Sequence, residues 1–284
     1  MARLNFKTLY ANGDSWTAGD IVDPELFGDN LSKVNDPDNK PYRLPRVWPH
    51  KIGKELNIEV INNSHAGASN DRIFRSTIND IVNLLKTNKP EDLLVVVGWS
   101  SPERRDFFYK WHEQDTGEWE CLYPGELEHW TSERKELLDF YKLYVTNHWY
   151  PEEFITRHCL NNISLHYFLK GLNIKHIFFN SFYENKEDVI DKDKHQLLES
   201  PKFDTFISDF YNDTDIKTLK RLEIDNILTE YTSVYKDVFF KDTFISYLLS
   251  FDIEEKILDY HPTEKGHELW AKYLSSYIYD KFRR

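Results

Sequence analysis

The chain is poor in sulfur and has no long apolar run. Two cysteines, Cys121 and Cys159, and a single methionine occur in 284 residues. Two thiols cannot build a disulfide framework, and their spacing matches no metal-ligand pattern. They are expected to be reduced thiols of a cytosolic compartment, or of a particle such as a virion assembled there. The longest aliphatic run, Leu93 to Val97, is far too short to span a bilayer. The opening MARLNFKTLYANG has no apolar core followed by a small-residue cleavage site, so no secretory signal is expected. Positive charge is also scarce: 36 Lys and Arg stand against 48 Asp and Glu, a formal net charge of −12. That balance argues against a nucleic-acid backbone or an anionic membrane as the main partner. A His-Glu-x-x-His pair and a Gly-Lys-Ser/Thr loop are both missing, and only Gly13 and Gly19 stand where a dinucleotide fingerprint would need more. No metal and no cofactor is expected.

What is present describes a globular α/β protein. The hydrophobic share is 40% and the charged share 30%, ordinary for a folded domain. Three apolar runs have the continuous character of buried parallel strands: FKTLYAN at the start, DLLVVVGWS from Asp92, and IKHIFFNSF from Ile174. A weaker fourth, IEVINNS, begins at Ile58. Helical spacing fills the intervals. VWPHKIGKELN precedes the weak strand, and NDRIFRSTINDIVNLLKTN follows it with Ile73, Ile78, Ile81, Leu84 and Leu85 on one face. PEEFITRHCLNNISLHYFLKGLN runs from a helix-starting Pro151 to a helix-stopping Gly171, and TEKGHELWAKYLSSYIYDKF closes the chain. Strands alternating with helices imply right-handed crossovers and a parallel sheet covered on both faces. Two stretches break the alternation, residues 101–150 and 184–250, and are expected to be insertions over the C-terminal ends of the strands within one domain spanning 1–284. Five of the eight tryptophans fall between Trp99 and Trp149.

The first strand ends in Asn12-Gly13-Asp14-Ser15, a turn that presents a hydroxyl where α/β sheets keep their chemistry. A serine needs a base at neutral pH, and a neutral imidazole is the usual one. His261, in LDYHPTEKGHELWA, stands on a loop before the last helix, with Pro262 restricting its conformations. A third group should orient the ring, and Asp259, two residues upstream, is the candidate by proximity. Taken singly, Gly-Asp-Ser is a common turn and His-Pro a common dipeptide.

Together, Gly13-Asp14-Ser15, Gly67 in SHAGASND, Gly98 at the end of the third long run, and DYHP with Gly266 resemble the SGNH (GDSL-type) hydrolases, in the same order and across the whole chain. The resemblance implies a three-layer α/β/α sandwich with a central parallel sheet of about five strands in flavodoxin-like order. It implies ester hydrolysis without a metal, and an oxyanion hole using the Ser15 and Gly67 backbone amides. Two positions depart from the family pattern. Where Gly-x-Asn-Asp is usual, Ser100 takes the Asn place; either Ser100 still reaches the oxyanion, or Asn70 substitutes, or the enzyme is slow. The usual Asp-x-x-His spacing would put the acid at Leu258, one residue before Asp259.

The segment GWSSPERRDFFYKWHEQDTGEWE leaves the third run beside this site. Trp99, Arg104 and Trp111 could wall a sugar ring or acyl chain and hold a carboxylate; equally, such aromatics and arginines could anchor a long insertion to the body. The expectation is a serine esterase acting on a small acyl ester, foremost an O-acetyl group on a carbohydrate. The rival is a catalytically impaired SGNH fold serving as a binding or structural module, as in a phage-like particle.

Overall fold

The computed structural model describes residues 4–109, 118–122, 135–148, 151–182, 225–251, 257–258 and 261–283. Four parallel strands form the central sheet: β1 (Thr8–Asn12), β2 (Glu59–Asn62), β3 (Leu93–Trp99) and a strand at Lys175–Asn180, in the order β2-β1-β3 and then that last strand. This is the first part of a flavodoxin-like order. Where a fifth strand is expected, the described residues carry a single parallel bridge between Phe178 and Phe239.

Side chains alternate across the sheet, and each face has its own core. Leu9, Ala11, Leu94, Val96, Ile177 and Phe179 point to one face, under α2 (Trp48–Leu56) and two helices at Phe244–Leu249 and Glu264–Phe282. Tyr10, Leu93, Val95, Val97 and Phe178 point to the other, under α3 (Asn70–Leu84) and helices at Pro151–Gly171 and Asp225–Val238. The result is the expected three-layer α/β/α sandwich. A short α1 (Ser15–Ala18) directly follows β1.

The stretches expected to be insertions divide differently. In the first, β4 (Arg105–Tyr109) and β5 (Glu118–Leu122) pair as an antiparallel hairpin, followed by α4 (Lys135–Asn147). Leu122, Tyr141 and Tyr144 make a small core between hairpin and helix. Of the second, residues 184–224 lie outside the described residues, while Tyr231, Val234, Val238, Phe239, Phe240, Phe244 and Leu248 are buried in the two main cores. Residues 225–250 therefore belong to the body of the sandwich. Their mixed charged and aromatic sequence disguises a helix with one apolar face.

Counted in chain order, the helices after α4 are α5 (Pro151–Gly171), α6 (Asp225–Val238), α7 (Phe244–Leu249) and α8 (Glu264–Phe282), and Lys175–Asn180 is β6.

Four histidines, His158, His166, His176 and His267, are buried in this body. Burial pushes His158 and His267 down to about 3 and His176 down to about 4. An unfolded histidine titrates near 6.5, so below that pH the unfolded chain binds more protons than the folded one. This stability is present above about pH 6.5 and is lost as pH falls toward 4, by up to roughly 1.4 kcal/mol per pH unit for each ring. Urea-unfolding midpoints should therefore drop steadily between about pH 6.5 and pH 4.5. A flat midpoint across that range would show that the rings are not held neutral.

Candidate active site

The site forms where the tips of β1, β2 and β3 meet. Asn12, the last residue of β1, is fully buried and its amide donates to Thr77 Oγ1 (2.9 Å), Ser76 Oγ (2.8 Å) and the Ile73 carbonyl (3.2 Å). Its own Oδ1 accepts from the Gly13 amide at 2.9 Å. The strand end is thus clamped to α3 before the chain turns. At Gly13 a Cβ would stand 2.3 Å from Thr17 Oγ1 and 2.9 Å from the Gly98 carbonyl oxygen. The two strand tips approach closely enough to exclude any side chain there.

Asp14 caps α1, its Oδ1 accepting from the Trp16 amide at 3.0 Å. The first residue of that turn is Ser15. Its Oγ lies 3.1 Å from His261 Nε2, across 246 positions of sequence. His261 is brought there by a two-residue strand, His261–Pro262, whose chain then enters α8 through the Thr263 cap; Thr263 Oγ1 accepts from the Gly266 amide at 3.3 Å. Gly67 adopts φ +80°, in the left-handed region, so the turn after β2 needs a glycine.

The other predicted residues take different places. Asn70 is buried, and its side chain clamps the end of β3: Nδ2 donates to the Ser100 carbonyl (2.9 Å) while Oδ1 accepts from the Ser100 amide (2.8 Å). Ser100 is also buried; its hydroxyl accepts from Arg104 Nη1 at 2.9 Å and faces Asp14. Both side chains are thus engaged in bracing β3.

Trp99 does not wall a substrate. It is fully buried, with edge-on contacts to Phe178 and His158, because the strand alternation turns it into the core. Arg104 does not extend outward for a substrate carboxylate either. It turns inward with its side chain 11% exposed, reaching Ser100 Oγ, the Ala68 carbonyl (3.4 Å) and Asp14 Oδ2 (3.5 Å). One guanidinium therefore ties together the chain segments that follow all three strands. Arg105 fastens the insertion to the body, its Nη1 2.6 Å from Glu153 Oε1 on α5. Trp111 and Asp259 lie outside the described residues.

The floor of the site is charged. Burial pushes the Asp14 carboxyl up from its usual range, while Arg104, the Ser100 hydroxyl and the Trp16 amide pull it back. Two further residues carry no motif, and sequence reasoning misses them. Asp20, just past α1, places Oδ2 3.0 Å from His261 Nε2. Arg43 donates from Nη1 to the Ala18 carbonyl at 2.8 Å, and its charge faces Asp20. Only proximity to Ser15 in sequence could draw attention to Asp20. Among the described residues, no group of three or more His, Cys, Asp or Glu side chains is placed to hold a metal ion, and no helix is long and apolar enough to cross a membrane.

The fold and this site define an α/β/α sandwich with a serine and a histidine in contact at the strand tips. The chain belongs to the family described as "Family of unknown function (DUF6071)", whose model matches residues 27–205. The matched stretch begins after Ser15 and ends before His261. No curated protein matches the chain. Among solved structures it is similar to a member of the lipolytic protein G-D-S-L family from Veillonella parvula, at 11% identity and TM-score 0.43, over 97% of this chain and 99% of that one. It is similar to the esterase EstA from Pseudoalteromonas sp., at 10% identity and TM-score 0.43, over 97% and 99%. It is also similar to phospholipase A1 from Streptomyces albidoflavus, at 11% identity and TM-score 0.41, over 95% and 99%.

The Asp14–Arg104 pair is the site's structural dependency. Removing one partner of a buried pair strands the other charge and costs about 3–5 kcal/mol. Arg104→Leu should destabilise the fold by about that much, and adding Asp14→Asn should recover a large part, giving a coupling above about 1 kcal/mol in a double-mutant cycle. Additive losses in thermal unfolding would show that the two side chains do not depend on one another.

Proposed function

We propose that the protein is a serine ester hydrolase with Ser15 as nucleophile and His261 as general base. The observation that carries this is the 3.1 Å contact between Ser15 Oγ and His261 Nε2 at the strand tips. That distance lies within the range a general base needs to take a hydroxyl proton. Ser15 Oγ attacks the ester carbonyl carbon as its proton passes to Nε2. The tetrahedral oxyanion is held by the Ser15 and Gly67 backbone amides, and the imidazolium then returns the proton to the leaving alcohol. Water repeats the sequence on the acyl-enzyme. Asp259 is the proposed partner for the other ring nitrogen. With the Ser100 and Asn70 side chains engaged elsewhere, the proposed oxyanion donors among the described residues are backbone amides. Losing one side-chain donor costs about 100- to 1,000-fold, so turnover should be slow.

The proposed substrate is a small acyl ester, foremost an O-acetyl group on a carbohydrate. Beside α3, on the turns that follow Gly67, an open hollow of about 500 Å³ is lined by residues that include Asp71, Arg75, Asp106, Trp119 and Arg157. Arg75 is paired with Asp106, and Arg157 with Asp71. Phe74 and Ile78 also line it, and half-exposed Trp119 gives the wall an aromatic ring of the kind that packs against a sugar. The engagement of Ser100 and Asn70 favours the second reading, a binding or structural module that retains the fold without turnover.

A fluorophosphonate probe with mass mapping separates the two readings. Ser15 should be the labelled residue, and Ser15→Ala should lower acetyl-ester hydrolysis by on the order of 10,000-fold or more with little change in melting temperature. An unlabelled folded protein would favour the module. Hydrolysis should also fall on the acidic side as the base becomes protonated, because only an unprotonated Nε2 can accept the serine proton. A rate independent of pH from weakly acidic to neutral conditions would remove His261 as the base.

A further inference from the structure

His261 Nε2 lies beside both Ser15 and Asp20, and the same nitrogen cannot serve both in one protonation state. Ser15 Oγ is 3.1 Å away and Asp20 Oδ2 is 3.0 Å away. A carboxylate only accepts hydrogen bonds, so its contact calls for a proton on Nε2. A general base for Ser15 needs the lone pair there instead. Asp20 is also poorly placed to orient the ring as a triad acid does, since that role belongs to the opposite nitrogen.

We propose that Asp20 is a positioning residue that holds the proton of the resting enzyme on His261 Nε2, and so sets the pH above which the Ser15–His261 pair can act. The proposal rests on the dyad reading above. In the resting state the Nε2–H donates to Asp20. In the competent state Nε2 is bare and accepts from the Ser15 hydroxyl. During attack the proton moves from Ser15 Oγ to Nε2, the Oγ–C bond forms, and the carbonyl electron pair shifts to oxygen. The new N–H then lies within reach of Asp20, which supports the imidazolium until the proton passes to the leaving alcohol. Asp20 gains no proton at any stage, and nothing is oxidised or reduced.

The charges around the ring bear on this balance from several elements. Asp14, under Ser15, acts on His261 from below and is itself countered by Arg104. Arg43 faces Asp20 from the segment before α2. His267 on α8 is buried and neutral, with Lys51 acting on it from α2. Asp259 is two residues away along the chain. Among the described residues, Asp20 is a carboxylate that reaches Nε2 itself, at salt-bridge distance. An opposite charge so close favours the protonated ring.

The test is the imidazole titration of His261 by NMR, its signal identified by its loss in His261→Gln, in the wild-type chain and in Asp20→Asn. The midpoint should fall by about one pH unit in the variant. Asp20→Ser, which removes the charge with a smaller side chain, gives the same comparison if the amide does not fold, with melting temperature as the check. A midpoint unchanged in the folded variants overturns the proposal, whether or not any ester is hydrolysed. Where hydrolysis is measurable, the acidic limb of kcat/KM should shift to lower pH by the same amount. A shifted NMR midpoint in a chain that hydrolyses no ester would keep the role of Asp20 on the ring and reject the hydrolase reading alone.

Discussion

The close approach of β1 and β3 at their C-terminal ends is the constraint on which the site depends. These strands pair in parallel from Thr8 opposite Leu93 to Asn12 opposite Val97, so both chains leave the sheet at the same edge. Gly13 and Gly98 allow the tips to close on each other and on Thr17; a Cβ at Gly98 would stand 2.8 Å from Thr17 Oγ1 and 2.7 Å from the Phe179 ring. With the tips closed, Asp14 and Ser15 have little freedom. The cap at Asp14 then decides which way the Ser15 hydroxyl faces.

That geometry requires burying a carboxylate, and the chain answers with a side chain from an unexpected place. Arg104 comes from the first residues after β3 and reaches back to Asp14, Ser100 and the Ala68 carbonyl. A buried acid without such a partner would be strongly destabilising. Where the SGNH pattern has an asparagine side chain, this protein has a short hydroxyl locked to an arginine. The Ser100 hydroxyl thus supports the floor of the site.

Much of the layer structure is legible from periodicity. The runs at Thr8–Asn12, Leu93–Trp99 and Lys175–Asn180 are continuous because both faces of each strand are covered, and at that length a buried parallel strand is the natural form for such a run. The helix over Asn70–Leu84 announces itself by one apolar face. The helix at Asp225–Val238 does not, since Tyr231, Val234 and Val238 are interrupted by charged neighbours. Trp99 passes for a surface ring because a tryptophan at a strand end looks the same in sequence whether it faces substrate or core. Strand alternation past Gly98 decides that it faces His158 and Phe178.

Sequence alone determined the strand–helix alternation, the glycines needed at tight strand tips, and the two residue types, Ser15 and His261, worth pairing. Each of these follows from local stereochemistry or from a side chain's own reactivity, which neighbours along the chain suffice to reveal. Tertiary structure decided which groups those residues meet. The Arg104 bracket, the engagement of Asn70 with Ser100, and the contact of Asp20 with His261 Nε2 arise when segments far apart in sequence converge on one sheet edge. A hydrogen-bond partner is chosen by distance and direction in space, and a linear order of residues carries neither.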